Sequence, residues 1–177
     1  MSGGSIIVLA ILVFAGVTIF KGVRIVPQGY KWIVQRLGKY HTTLTPGLNF
    51  VIPYVDEVAY KVTTKDIVMD IPSQEVITRD NAVLLMNAMA YINITTPEKA
   101  VYGIENYTWA IQNLVQTSLR SIVGEMDLDD ALSSRDHIKA KLKAAISDDI
   151  SDWGITLKTV EIQDIQPSAT MQSAMEA

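Results

Sequence analysis

Along the chain, apolar positions first run without a period, then alternate, then recur every three to four residues. From Ile6 to Phe20 no side chain is charged, and only Gly16 and Thr18 interrupt an otherwise apolar run in which eleven residues are Ile, Leu, Val or Phe. At about 0.3–0.6 kcal/mol for each such residue, insertion into a bilayer is favoured by several kcal/mol. Counted from Gly3, the uncharged stretch makes a helix about 27 Å long against a hydrocarbon core of about 30 Å, a mismatch that local thinning absorbs. The run is apolar all round, which suits lipid better than the one-sided packing of a core helix. A cleaved signal peptide fits less well, because no basic stretch precedes the run and no small-x-small site follows it. Residues 1–24 are therefore expected to be a transmembrane anchor, with Ile6, Ile7, Leu9, Leu12, Phe14, Ile19 and Phe20 in the membrane.

Alternation then takes over. Tyr30 to Leu37 reads as a strand closed by Gly38, Pro46-Gly47 as a turn, and Val58–Val62, Ile67–Ile71 and Gln74–Ile77 as further strands separated by Pro72-Ser73. After Arg79-Asp80-Asn81 comes the clearest strand, in which Leu84, Met86, Ala88, Ala90, Ile92 and Ile94 occupy one face and Asn87 and Asn93 the other. Helical spacing follows. Thr96-Pro97-Glu98 opens a short helix through Ile104, and Trp109 to Val123 is a second, with Gly124 as its terminator. A third begins near Ser133 or Ser134, carries Ile138, Leu142, Ala145, Ile146, Ile150 and Trp153 on one face, and ends at Gly154. Ile155–Ile162 returns to strand, and Gln166-Pro167 opens a last helix with Met171 and Met175 one turn apart. Strands, then helices, then a strand predict an α+β fold: one domain over 25–165, with 166–177 starting a C-terminal helix.

With 177 residues and 49% hydrophobic content, the chain has room for one domain with a real core. Net charge is −4 with the basic residues dispersed, so no cationic face suited to nucleic acid is expected. The absence of cysteine excludes a disulfide framework and thiolate metal sites. Lys21, Arg24 and Lys31 follow the anchor closely, which by the positive-inside rule puts the soluble domain in the cytoplasm of a single-pass protein of the plasma membrane, expected here to be a bacterial or archaeal cell membrane.

Signs of catalysis are weak. His41 and His137 lie on different segments and read as surface residues, so no metal site or nucleophile with an adjacent base is predicted. Gly38-Lys39 lacks the spacing of a phosphate-binding loop, and no cofactor is expected. Asp127, Asp129 and Asp130 read as solvated caps, and the sequons at Asn93 and Asn106 are discounted. Two surfaces draw attention instead. Leu48, Phe50, Val51, Ile52 and Tyr54 are too consecutively apolar for an ordinary loop: they either contact the membrane interface, where Tyr54 suits the headgroup level, or form a buried strand. The third helix carries Lys139, Lys141 and Lys143 near its middle and Asp148, Asp149 and Asp152 near its end. Of these, Lys139, Lys143, Asp149 and Asp152 are candidate contacts between copies, together with the last helix, unless they form an ordinary solvated face.

Taken in order, Val26-Pro27-Gln28-Gly29, Gln35-Arg36-Leu37-Gly38-Lys39-Tyr40, Pro46-Gly47-Leu48 and Ile52-Pro53-Tyr54-Val55-Asp56 resemble the start of an SPFH (Band 7) domain. The likeness continues through Gln74 to Asn81, Leu119 to Gly124, Leu128 with Ser134-Arg135-Asp136, Trp153-Gly154-Ile155 and Glu161 to Ile165. This is the superfamily of stomatin, prohibitin, flotillin and HflK/C, and the branch resembled is stomatin-like, including the bacterial QmcA-type proteins. The resemblance implies a membrane-bound scaffold without catalytic residues. It further implies assembly into a large ring- or cage-like homo-oligomer that organises a membrane microdomain, often beside a membrane protease. Since such proteins usually continue into a long helix rich in Ala, Glu and Arg, a longer chain than the present one is expected. A regulatory or adaptor subunit of a membrane-bound protease, and a membrane-tethered hydrolase with an unrecognised carboxylate pair, are the alternatives.

Overall fold

The computed structural model describes residues 2–176, except for the side chains of 170–172; the Met171 side chain thus lies outside the described residues. Two compact units divide the chain, Met1–Lys65 and Asp66–Ala177. The first opens with α1 (Gly3–Gly22), followed by β1 (Val23–Val26), β2 (Tyr30–Arg36), β3 (Lys39–Leu44), β4 (Gly47–Phe50) and β5 (Asp56–Thr63). Strands β1 and β4 form an antiparallel ribbon, and β3-β2-β5 a three-stranded antiparallel sheet. Val26, Val34 and Leu44 form a small buried cluster, against which Trp32, Val51 and Val58 pack.

Strand β3 departs from the sequence reading, which left 39–44 unassigned. Its origin is local: Arg36 pairs with Lys39, so only Leu37 and Gly38 bridge the strands, and both take positive φ (52° and 82°). That conformation is the type I′ turn whose twist matches a hairpin, and a glycine at the second central position is what it demands. His41, which reads from sequence as a surface residue, stands on β3, where it is exposed.

The second unit runs β6 (Ile67–Ile77), β7 (Val83–Ile94), α2 (Pro97–Tyr102), α3 (Tyr107–Gly124), α4 (Leu128–Ser133), α5 (Arg135–Ser151), β8 (Ile155–Pro167) and α6 (Ala169–Glu176). Its antiparallel sheet has the order β6-β7-β8, with α3 packed on β6, α5 on β8, and α3 against α5. Every even position of β7 from Leu84 to Ile94 is buried, as alternation predicts. Ile111, Val115, Leu119 and Ile122 of α3 and Ile138, Leu142, Ile146 and Ile150 of α5 complete the core.

Several boundaries moved. Pro72-Ser73 does not end a strand: it is absorbed as a register shift between Ile71 and Gln74 within β6. Helix α3 begins at Tyr107, because the Asn106 side chain accepts a hydrogen bond from the Trp109 amide, and Gly124 is its last residue, not the residue past its end. Ala145 is exposed on α5. The run Ile155–Ile162 extends to Pro167 because β7 continues to offer partners down to Leu84. Finally, Asp127, Asp129 and Asp130 flank and open a short helix, α4, that the sequence reading omitted. The Asp80 carboxylate accepts from the Leu128 amide at its start (3.2 and 3.4 Å), and Arg79 pairs with Asp127 through two contacts of 3.0 and 2.6 Å. The Thr78–Asn81 turn, with Asn81 at φ 66°, is thus tied to the start of α4.

Candidate membrane-facing site

Helix α1 has 20 residues and a mean hydropathy of 2.5 over its most apolar window, none of which is buried. At 1.5 Å per residue it is about 30 Å long, the thickness of a bilayer hydrocarbon core. Ile6, Ile7, Leu9, Leu12, Phe14, Ile19 and Phe20 are all exposed. The polar Thr18 satisfies its hydroxyl within the helix by donating to the Phe14 carbonyl at 2.8 Å.

The helix ends where another segment comes against it. Gly22 is the one buried residue of α1, and its carbonyl accepts from the Val51 amide at 2.8 Å. A Cβ at Gly22 would stand 2.6 Å from the Val51 carbonyl oxygen, so this approach of two backbones requires glycine. Residues beyond Val51 then follow α1. The Tyr54 ring lies parallel to that of Phe14 (interplanar angle 1°, centroids 6.4 Å apart), and the Lys21 ammonium is 5.8 Å from the Tyr54 centroid. Phe14 and Gly22 are eight residues apart, about 12 Å along a helix axis. The 51–55 loop is therefore folded back along the last two turns of α1.

Pairing of β1 with β4 extends this surface. Ile25 lies opposite Leu48 and Val23 opposite Phe50, so these four side chains share one face of the ribbon. Ile25 is 70% exposed, Phe50 69% and Tyr54 69%, and Leu48 and Ile52 are exposed as well. The buried-strand reading of 48–54 thus fails for all but Val51, which is half-buried against the Val26–Val34–Leu44 cluster. Val23 and Ile25 escaped the sequence reading, which left 23–24 to the anchor; the signal available was the apolar–charged–apolar alternation Val23-Arg24-Ile25 just past Gly22.

A partly buried ion pair fastens the loop. Arg36 donates to both Asp56 carboxylate oxygens (2.7 and 3.1 Å), the second of which also accepts from the Ile52 amide at 3.0 Å. The Asp56 amide in turn donates to the Ile52 carbonyl at 2.9 Å, and the Asp56 side chain is 2% exposed. The Arg36 hydrogen bonds hold the Asp56 carboxyl at about 2, well below the usual carboxylate range, against the opposing effect of desolvation. Tyr54 sits at φ 76°, a left-handed conformation uncommon for an aromatic residue, and the bonds on both sides of it impose that turn.

The charges expected to join copies occupy the second unit. Lys143 and Asp149 are exposed on α5 and Asp152 is exposed just past its end, whereas the Lys139 ammonium already contacts Glu161 of β8 at 2.6 Å. His137 is exposed on α5. Among the described residues, no group of three or more His, Asp or Glu side chains is arranged to hold a metal.

An exposed apolar helix joined to a strand-rich unit with an apolar, backbone-locked face defines a class of membrane-associated α+β proteins. The chain belongs to the SPFH domain / Band 7 family, whose model matches residues 24–177. It is 36% identical over 151 residues to mitochondrial stomatin-like protein 2 of Homo sapiens, covering 85% of this chain and 42% of that protein. An uncharacterized protein of Methanocaldococcus jannaschii is 40% identical over 157 residues (89% of this chain, 78% of the relative). One from Mycobacterium tuberculosis H37Rv is 34% identical over 173 residues (98% and 45%). The chain therefore spans less than half the length of the human and mycobacterial relatives.

Proposed function

We propose that this chain is a non-enzymatic, membrane-anchored scaffold whose first unit is seated in the bilayer surface by two attachments, the spanning helix α1 and the apolar face Val23–Ile25–Leu48–Phe50 with Ile52 and Tyr54. The observation that carries this is the loop folded back along α1: a membrane that contains Phe14 must also admit the neighbouring Tyr54 ring. A large side chain exposed singly needs no partner, but a contiguous apolar surface beside an anchor does. Two attachments hold the orientation of the unit at the membrane, which a single flexible tether does not, and repetition of an oriented unit builds a ring and orders a membrane microdomain. Lys143, Asp149, Asp152 and helix α6 are proposed as lateral contacts of that homo-oligomer. Membership of a family that includes stomatin-like protein 2 supports the scaffold reading, and Lys21 and Arg24 beside the anchor support a single pass with the soluble part in the cytoplasm.

The chain has no native cysteine, so single-cysteine labelling reads each position alone. In proteoliposomes, Ile52→Cys and Tyr54→Cys are expected to resist a membrane-impermeant maleimide, while Leu37→Cys at the β2–β3 hairpin tip reacts; in detergent dissolved to monomers with mild denaturant all three react. Equal labelling of the three in the bilayer would remove the loop from the membrane. Digestion of the soluble part from outside intact spheroplasts would reverse the orientation.

A further inference from the structure

Beside the last turn of α1 the first unit contains a cavity of about 870 Å³, within the size range of small-ligand sites. Lys21, Arg24 and Lys61 line it, along with Asp56 and Glu57. Asp56 is neutralised by Arg36, which leaves three cations facing one carboxylate. The Lys61 ammonium stands 4.5 Å from the centroid of the Trp32 ring, so the aromatic face holds that charge at the cavity wall. Phe20 and Ile25 add apolar lining, and both are exposed. A second cavity of about 440 Å³ shares Lys21, Arg24 and Asp56 and reaches Pro53 and Tyr54.

From this arrangement we infer that the larger cavity binds the phosphodiester headgroup of a net-anionic glycerophospholipid, with Lys21, Arg24 and Lys61 facing the phosphate and Phe20 and Ile25 lying against the start of the acyl chains. The inference rests on the membrane-facing reading above, which brings the last turn of α1 to headgroup level. Surplus positive charge excludes a cationic ligand and disfavours a choline headgroup, whose own ammonium would enter the same space. A basic pocket at the end of a spanning helix is suited to an anionic headgroup. Free phosphate shares the charge but has no use for the two apolar residues. Since Arg24 and Lys61 are exposed, their replacement leaves the core untouched.

The test uses the full chain in bilayers containing spin-labelled phosphatidylglycerol or spin-labelled phosphatidylcholine, with the motionally restricted fraction read by electron spin resonance. The expected preference for phosphatidylglycerol is on the order of fivefold, the effect of about one effective surface charge. Arg24→Gln combined with Lys61→Gln should bring the ratio close to one, whereas Lys39→Gln, which removes a charge outside the cavity, should leave it unchanged. Equal restriction of both lipids in the native chain, or an equal loss in Lys39→Gln, would overturn the assignment. So would displacement by millimolar glycerol phosphate, which would make the ligand a soluble phosphate. Maleimide protection of Tyr54→Cys separates the two readings: protection without lipid preference defeats the headgroup site alone, and free labelling defeats both.

Discussion

The two units handle apolar surface in opposite ways. In 66–177 one apolar face each of β7, α3 and α5 is buried, and the large apolar side chains left outside, such as Ile77 of β6, Tyr102 of α2 and Trp109 of α3, are distributed over different elements. In 1–65 a small cluster around Val34 is buried, while Ile25, Leu48, Phe50, Ile52 and Tyr54 remain exposed together. Exposure of an apolar side chain is common and carries little information. What distinguishes the first unit is that its exposed residues adjoin and that backbone bonds and an ion pair hold them out. A surface that is costly in water and nonetheless locked in place is what the proposed seat in the membrane surface requires.

The largest effect that tests this comparison lies in the second unit. Leu142 is wholly buried, so Leu142→Ala should cost about 2–5 kcal/mol in denaturant unfolding followed by circular dichroism, whereas Phe50→Ser in detergent should change stability by no more than about 0.5 kcal/mol. A comparable loss from Phe50→Ser would show that the ribbon face belongs to a core. Next in size, Gly22→Ala drives a Cβ against the Val51 carbonyl and should cost about 1–3 kcal/mol, as overpacking does. In proteoliposomes the same change should expose Tyr54→Cys to the impermeant maleimide; continued protection would show that the loop reaches the membrane without its bond to α1.

Acid offers a gentler probe. Because the folded Asp56 carboxyl sits at about 2, below its ordinary 3.8, its contribution is fully present above the ordinary value and is lost as pH falls through about 2. Between roughly pH 4 and pH 2 the Ile52 amide should therefore lose protection from hydrogen exchange, and Asp56→Asn should remove that pH dependence. An unchanged profile in Asp56→Asn would detach the loop from the ion pair. The smallest effects belong to α5. Lys143→Glu should leave folding unchanged but reduce the assembly size seen by light scattering, while Lys139→Glu opposes Glu161 within the same chain and so weakens the α5–β8 contact first. An unaltered assembly size in Lys143→Glu would take this face out of the oligomer.

By itself the sequence determined what depends on residues close along the chain. An uncharged stretch of this length forms a membrane-length helix, alternation made β7 legible nearly to the residue, and helical spacing identified the buried faces of α3 and α5. The ordered short motifs were enough to identify the family. Tertiary structure decided what depends on pairing between distant residues. An apolar run such as Leu48–Tyr54 reads identically whether it faces a core or a membrane, and only the register of β1 on β4, which sets Ile25 beside Leu48, showed an exposed face. Likewise Lys139 and Lys143 are indistinguishable on a helical wheel until β8 brings Glu161 to one of them. Periodicity reports which residues share a side of an element; what stands opposite that side is set by contacts between residues far apart in the chain, which no local pattern encodes.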